Sequence, residues 1–149
     1  MLIWMSLIFA GSTELMSTQR TSRIIGPLLR WINPAITDAA IRQVQFAVRK
    51  GAHVAEYAIL ALLLWRALRK PARGDTRPWS GPEARRAVGI AFLYSVTDEF
   101  HQSLVPSRMG TPWDVLLDTC GAAAAMVALW AIGKWRKWWG PNNCGNGRC

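Results

Sequence analysis

Acidic residues are scarce: nine Asp and Glu stand against 18 Lys and Arg in 149 residues, with two His and three Cys. So few acids exclude an acidic disordered chain, and three cysteines cannot staple a miniprotein. Gly and Pro number 12 and 8 without a period, which excludes a collagen-like repeat. The chain has no internal repeat and room for one domain. The most telling absence is local. Lys and Arg are missing from 1–19, 51–65, 87–107 and 109–133 and crowd into what lies between. A nucleic-acid binder spreads its basic groups along its helices and strands to meet phosphates. Exclusion from apolar runs is instead the habit of loops between membrane spans, so nucleic acid is not an expected partner.

What is present fits that reading. Hydrophobic residues make up 51% of the chain. A helix needs about 20 residues to cross a hydrocarbon core of roughly 30 Å. Segments 52–68, 87–105 and 113–133 are long enough, and Arg66 can snorkel from its span end. The first run, 1–13, covers only about 20 Å at helical rise, so it must borrow 14–19, thin the bilayer or extend upstream. A signal peptide is the alternative for it, but a basic n-region and a clear A-x-A cleavage site are lacking. Seven of the nine Trp (4, 65, 113, 130, 135, 138 and 139) fall near predicted span ends, where indole rings settle. The expected architecture is therefore all-α: a polytopic membrane helical bundle of about four transmembrane helices over 1–133, in contact with membrane lipids. A basic, then Gly- and Asn-rich tail over 134–149 is expected to be disordered.

Between the first two spans, 20–50 is broken by Pro27 and Pro34. Thr37 or Asp38 can cap a helix whose apolar positions Ala40, Ile41, Val44 and Val48 recur at helical spacing. This segment is expected to lie in the interface plane or to form a small soluble cap. Segment 69–86, with three Pro, reads as a solvated loop. Counting basic residues by side gives eleven against seven, which places both termini in the cytoplasm. Cys144 and Cys149 are then free thiols, and Cys120 a small apolar packer.

The carboxylates carry the chemistry. Glu56, Asp98, Glu99, Asp114 and Asp118 lie within apolar spans, as do His53 and His101. An acid at the bilayer centre costs about 2.5–3.5 kcal/mol, so five cannot all face lipid. Because successive spans alternate direction, these groups are predicted to share one layer within roughly 10 Å of one membrane face. Spacing aligns Lys50, His53 and Glu56; Asp98, His101 and Gln102; and Asp114, Asp118, Gly121 and Ala125. Glu99 points about 100° away from Asp98 and is the least aligned. Asp114 and Asp118 repel unless a cation lies between them, with Lys50, Arg49 and Arg108 as rim counter-ions. The small residues from Gly121 to Ala125 permit close helix approach. The expected site is a polar pocket open to one face, lined by Lys50, His53, Glu56, Asp98, Glu99, His101, Gln102, Arg108, Asp114 and Asp118. The other reading is a polar network that only locks helices together.

The stretches 49–57 (RKGAHVAEY), 98–102 (DEFHQ), 105–108 (VPSR) and 114–121 (DVLLDTCG) resemble signature segments of the VanZ-like membrane proteins. Order and spacing match over nearly the whole chain apart from its tail. Ser107 departs from the Gly more usual there, and the first helix is short. The family is named for a member associated with low-level glycopeptide resistance. The resemblance implies an integral membrane role in the bacterial envelope and supplies no reaction.

Three functions follow from the residues. The first is binding of an envelope-derived small molecule, a lipid-linked headgroup or a glycopeptide-related molecule: Lys50 and Arg108 meet an anionic group, and the inner acids and His meet hydroxyls or amines. The second is an enzyme, in which a divalent metal would be held by some of His53, Glu56, Asp98, His101, Asp114 and Asp118. Asp98-x-x-His101 is similar to the Glu-x-x-His pairs of helical di-iron sites. Without metal, His53 or His101 beside Glu56, Asp98 or Asp118 would serve as a general base. No serine elbow, H-E-x-x-H or phosphate loop names a reaction. The third, ion translocation, lacks a continuous polar path.

Overall fold

The computed structural model describes residues 1–12, 18–71, 75, 77–105 and 111–139, the side chains of 12 and 18–23 excepted. Helices α1 (Leu2–Ser12), α2 (Thr18–Ile32), α3 (Asp38–Arg69), α4 (Gly81–Ser103) and α5 (Pro112–Trp135) make up the fold, with no strand among the described residues. The all-α expectation holds. Among the described residues, α3 and α5 are the two helices long and apolar enough to cross a membrane. With 11 residues, α1 reaches only about 16 Å. α4 has 23 residues, but Asp98, Glu99, His101 and Gln102 cluster in its last turns.

The helices differ from the sequence reading at several places, and α4 starts at Gly81, inside the segment 69–86 expected to be a loop. Thr37 does cap a helix, its hydroxyl accepting from the Ala40 N–H at 3.3 Å. That helix does not stop at Lys50, however; it runs unbroken for 32 residues. Nothing between Asp38 and Arg69 is proline, and Gly51 alone costs a helix only about 1 kcal/mol. The expected interfacial segment is thus the first part of α3, preceded by α2. This second helix carries Pro27 inside it and leaves Ile24, Leu28, Trp31 and Ile32 exposed on one side.

The side chains set the directions. Lys50 pairs with Asp114, Gly121 meets Val54, and the Trp65 ring meets that of Trp139, so α3 and α5 run parallel. Ser95 bonds Asp118 while Trp79 stacks on Trp65, so α4 runs antiparallel to both. α1 runs alongside α4: the Tyr94 hydroxyl donates to Met5 O at 2.6 Å and Phe9 lies on His101. Trp4 Nε1 ties it to α3 by donating to Glu56 O at 3.0 Å.

Each central helix buries one stripe. On α4, Ala84, Ala87, Ala91 and Ser95 recur at helical spacing and lead into Asp98, Glu99 and Gln102. Opposite them pack Tyr57, Leu60, Ala61 and Leu64 of α3 and Ala122 and Met126 of α5. Small residues dominate because three helix backbones must come close. A Cβ on Gly121 would stand 2.7 Å from Val54 O. Cys120, expected to pack inward, is exposed on the outer side of α5.

The end of the bundle remote from the carboxylates is aromatic. Trp65, Trp79 and Trp139 lie with ring centroids 5.5–5.9 Å apart, and the Arg69 guanidinium covers Trp65 and Trp139. Trp139 arrives there because the chain turns back after α5: Lys137 takes φ 53°, and the Trp138 N–H bonds Gly133 O at 2.8 Å. The tail is therefore ordered through 139; 140–149, with Cys144 and Cys149, lies outside the described residues.

The segment after α3 is tied rather than freely solvated. Buried Arg69 donates to Pro78 O and Arg77 O at 2.9 and 2.6 Å, and Asp75 accepts from Arg77. The Arg77 guanidinium, bonded to it, holds the Asp75 carboxyl well below the usual carboxylate range. A lowered native pKa stabilises above the unfolded value near 4 and is lost as pH falls through the native one. Acidification below about pH 4 should therefore loosen this segment. Trp79 sits at its end, so tryptophan fluorescence should titrate there in the wild type and stay flat over the same range in Asp75→Asn.

Candidate functional site

Among the described residues, the buried polar and charged side chains are His53, Arg69, Ser95, Asp98, Glu99, Gln102, Asp114 and Asp118. All but Arg69 lie at one end of the three-helix core, as the alternating directions predict. α3 contributes His53, α4 contributes Ser95, Asp98, Glu99 and Gln102, and α5 contributes Asp114 and Asp118. Because α3 continues beyond Lys50, His53 lies well inside its helix rather than in the first turn.

The sequence reading expected an open pocket; the side chains form a packed layer. Asp118, Gln102, Ser95 and Tyr57 have no exposure at all. Asp118 Oδ2 accepts from the Ser95 hydroxyl at 2.7 Å, and His53 Nδ1 stands 3.5 Å from Asp118 Oδ1. Glu99 Oε2 accepts from the Thr111 N–H at 2.9 Å, and Asp98 Oδ2 from Gln102 Nε2 at 3.0 Å. At the edge, Lys50 Nζ donates to Asp114 Oδ1 and lies 5.3 Å from the centre of the Phe46 ring. The cation expected near the Asp114–Asp118 pair is thus Lys50, on Asp114.

The six metal candidates do not converge as a set. His53 and Asp118 meet; their third partner is Glu99, which the spacing argument had turned aside. One ligand atom from each of His53, Glu99 and Asp118 lies within 4.8 Å of the others. Glu99 joins because α4 is contacted by α3 on one side and α5 on the other, so a wide arc of it is buried. Asp98 and Glu99, about 100° apart, are both inside. Asp114 is taken by Lys50, and Asp98 bonds Gln102. Glu56 is half-buried, and its backbone carbonyl accepts from Trp4 Nε1. The His101 ring lies 4.5 Å from that of Phe9, and His101 is not in the His53–Glu99–Asp118 group. Arg108 lies outside the described residues.

Sequence reasoning missed Ser95 and Thr111 and left Tyr57 without a role. Ser95 stands three and seven residues before Asp98 and Gln102, a helical register that could have found it. The Thr111 contact comes from chain entry into α5 and leaves no spacing signal.

One family model, VanZ/LLP1, matches residues 1–133. The chain belongs to the VanZ/LLP1 family. No curated protein and no solved structure matches it. The family match covers all five helices except the last two residues of α5. Every described residue of the polar layer therefore lies inside the VanZ/LLP1 region, whereas Trp139, which closes the aromatic end, lies beyond it.

Proposed function

We propose that this VanZ/LLP1 protein is a multi-pass protein of the bacterial cytoplasmic membrane, both termini cytoplasmic, whose polar layer receives the head group of an envelope ligand. The observation that carries this reading is the burial of ionisable and amide groups from three helices in one layer. Two of those helices have membrane-crossing length, and their outer surfaces expose Ile59, Leu62, Leu116, Val127 and Ile132. Buried acids on this scale are costly in lipid and mark function by default. The ligand engages the edge at Lys50, a quarter of whose side chain is exposed, and presents a hydroxyl or amine toward His53, which Asp118 backs from inside the layer. A lipid-linked or glycopeptide-related molecule has that combination of anionic and hydrogen-bonding groups.

A second reading is an acid/base or metal-dependent enzyme acting on an envelope substrate. It is favoured by the approach of the His53 imidazole to the Asp118 carboxylate, the arrangement of a base and its orienting group.

Extraction in native lipid discs, followed by mass spectrometry of what is retained, tests the binding reading. The wild type should enrich one phosphate-bearing or peptidoglycan-related species over the bulk membrane. Asp118→Asn, inserted at normal levels, should lose it. A retained lipid profile identical to the surrounding membrane would overturn the reading.

A further inference from the structure

Three polar atoms at the centre of the layer share a condition that packing alone does not explain. His53 Nδ1, Glu99 Oε1 and Asp118 Oδ1 are all buried, and none has a hydrogen-bond partner among the described residues. Orphaned buried polar atoms are rare and expensive. Six other described side-chain atoms are orphaned too, those of Tyr57, His101 and Gln102 among them, but only His53, Glu99 and Asp118, one from each of α3, α4 and α5, bring a ligand atom apiece within 4.8 Å of one another among the described residues. We infer that His53, Glu99 and Asp118 bind a single divalent first-row transition ion of the zinc class.

The carboxylates are arranged for it. Each has one oxygen already held by a donor: Asp118 Oδ2 by the Ser95 hydroxyl, Glu99 Oε2 by the Thr111 N–H. Those bonds fix the rotamers and leave Oδ1 and Oε1 as single-oxygen ligands, the task outer-shell donors perform in metal sites. Ligand atoms within 4.8 Å of one another surround one tetrahedral ion at bond lengths near 2.1 Å once they close to about 3.4 Å, a movement that rotation of the three side chains supplies. One nitrogen and two oxygens without sulfur suit zinc, manganese or ferrous iron rather than cuprous copper. The charge agrees too: two carboxylates with at most 5% exposure are balanced by one dication, while Lys50 is engaged by Asp114.

Protonation of His53 is the competing account. It would answer Nδ1 and Oδ1 only, across 3.5 Å, too long for a charge-assisted bond, and would leave Glu99 Oε1 unanswered. Three protein ligands leave a coordination position open, as in catalytic rather than structural zinc sites. Ion binding does not rest on the envelope-ligand reading, and a negative lipid result leaves it standing.

The test uses the full chain in detergent, stripped with chelator and dialysed, beside a variant with Cys120, Cys144 and Cys149 replaced by Ser. Calorimetric titration with Zn²⁺ should give one equivalent with submicromolar affinity in both. Glu99→Gln and His53→Gln should weaken binding at least about 100-fold, and Ser95→Ala, which only frees the Asp118 carboxylate, about tenfold. Co²⁺ added to the wild type should give visible bands of a nitrogen- and oxygen-ligated ion, a readout that needs no variant to fold. Failure of the wild type to bind Zn²⁺ at micromolar concentration overturns the inference. So does loss of binding in the Cys-free chain, a thiolate-to-cobalt band, or wild-type affinity in folded Glu99→Gln.

Discussion

Alanine at Gly121 is expected to destabilise the bundle by about 1–3 kcal/mol, the range for an extra methyl forced into a packed interior, and leucine there to prevent accumulation. The new Cβ would stand 2.7 Å from Val54 O and 3.1 Å from Val54 Cα, both backbone atoms of α3. A side chain can rotate away; a helix backbone cannot. The two helices must therefore separate along the contact that brings His53 to Asp118, one turn from Gly121. Gly89 is the matched control: its Cβ position is open, so alanine there should be neutral or stabilise α4 by up to about 1 kcal/mol. Reversible unfolding in mixed micelles, with both variants in one series, measures the contrast. Equal stabilities would mean that α3 and α5 do not approach at this point.

The second large effect is expected at the Lys50–Asp114 pair. Breaking a buried ion pair by removing one partner typically costs 3–5 kcal/mol, because a charge is left without compensation. The two halves should not cost the same. Asp114 is buried, so Lys50→Met strands a carboxylate and should approach the full figure. Lys50 keeps a quarter of its side chain exposed and the Phe46 ring beside it, so Asp114→Leu should cost less, about 2–3 kcal/mol. The double variant should return to within about 1 kcal/mol of the wild type, since a well-packed apolar pair replaces an ion pair at little cost. A double-mutant cycle reads this as strong coupling; additive single effects would mean that the ammonium and carboxylate act separately.

The parts of the structure that sequence made legible are those written in charge and period. Exclusion of Lys and Arg from apolar runs locates α1, about half of α3 and most of α4 and α5, and alternating direction places His53, Asp98, Glu99, Asp114 and Asp118 in one layer. Thr37 was legible as a cap because its hydroxyl serves a local N–H. What failed did so for tertiary reasons. α2 was missed because Pro27 reads as a break, although an amphipathic helix can continue past one lost hydrogen bond. Gly51 looks like a helix start because the hydropathy changes there, yet polar residues continue a helix as readily as apolar ones. A single-face argument, which turns Glu99 aside, holds for a helix with one neighbour and fails for α4, which packs against α3, α5 and α1. His101 shares a stripe with Asp98, and α1 supplies Phe9 as a partner for its ring. No spacing rule contains that partner.

The unbroken length of α3 has a mechanical consequence. At 32 residues it is about 48 Å long, roughly 18 Å more than a hydrocarbon core about 30 Å thick. If the portion from Lys50 to Arg69 fills the bilayer, the stretch from Asp38 to Arg49 stands clear of it as a stiff arm. A 10° change in tilt about Lys50 would swing the outer tip by about 3 Å. Ionic contact between Arg30 and Asp38 at that tip links α2 to the motion. Bilayer thickness and the geometry around His53 are then joined by one rod, and a change in either is felt at the far end of the other.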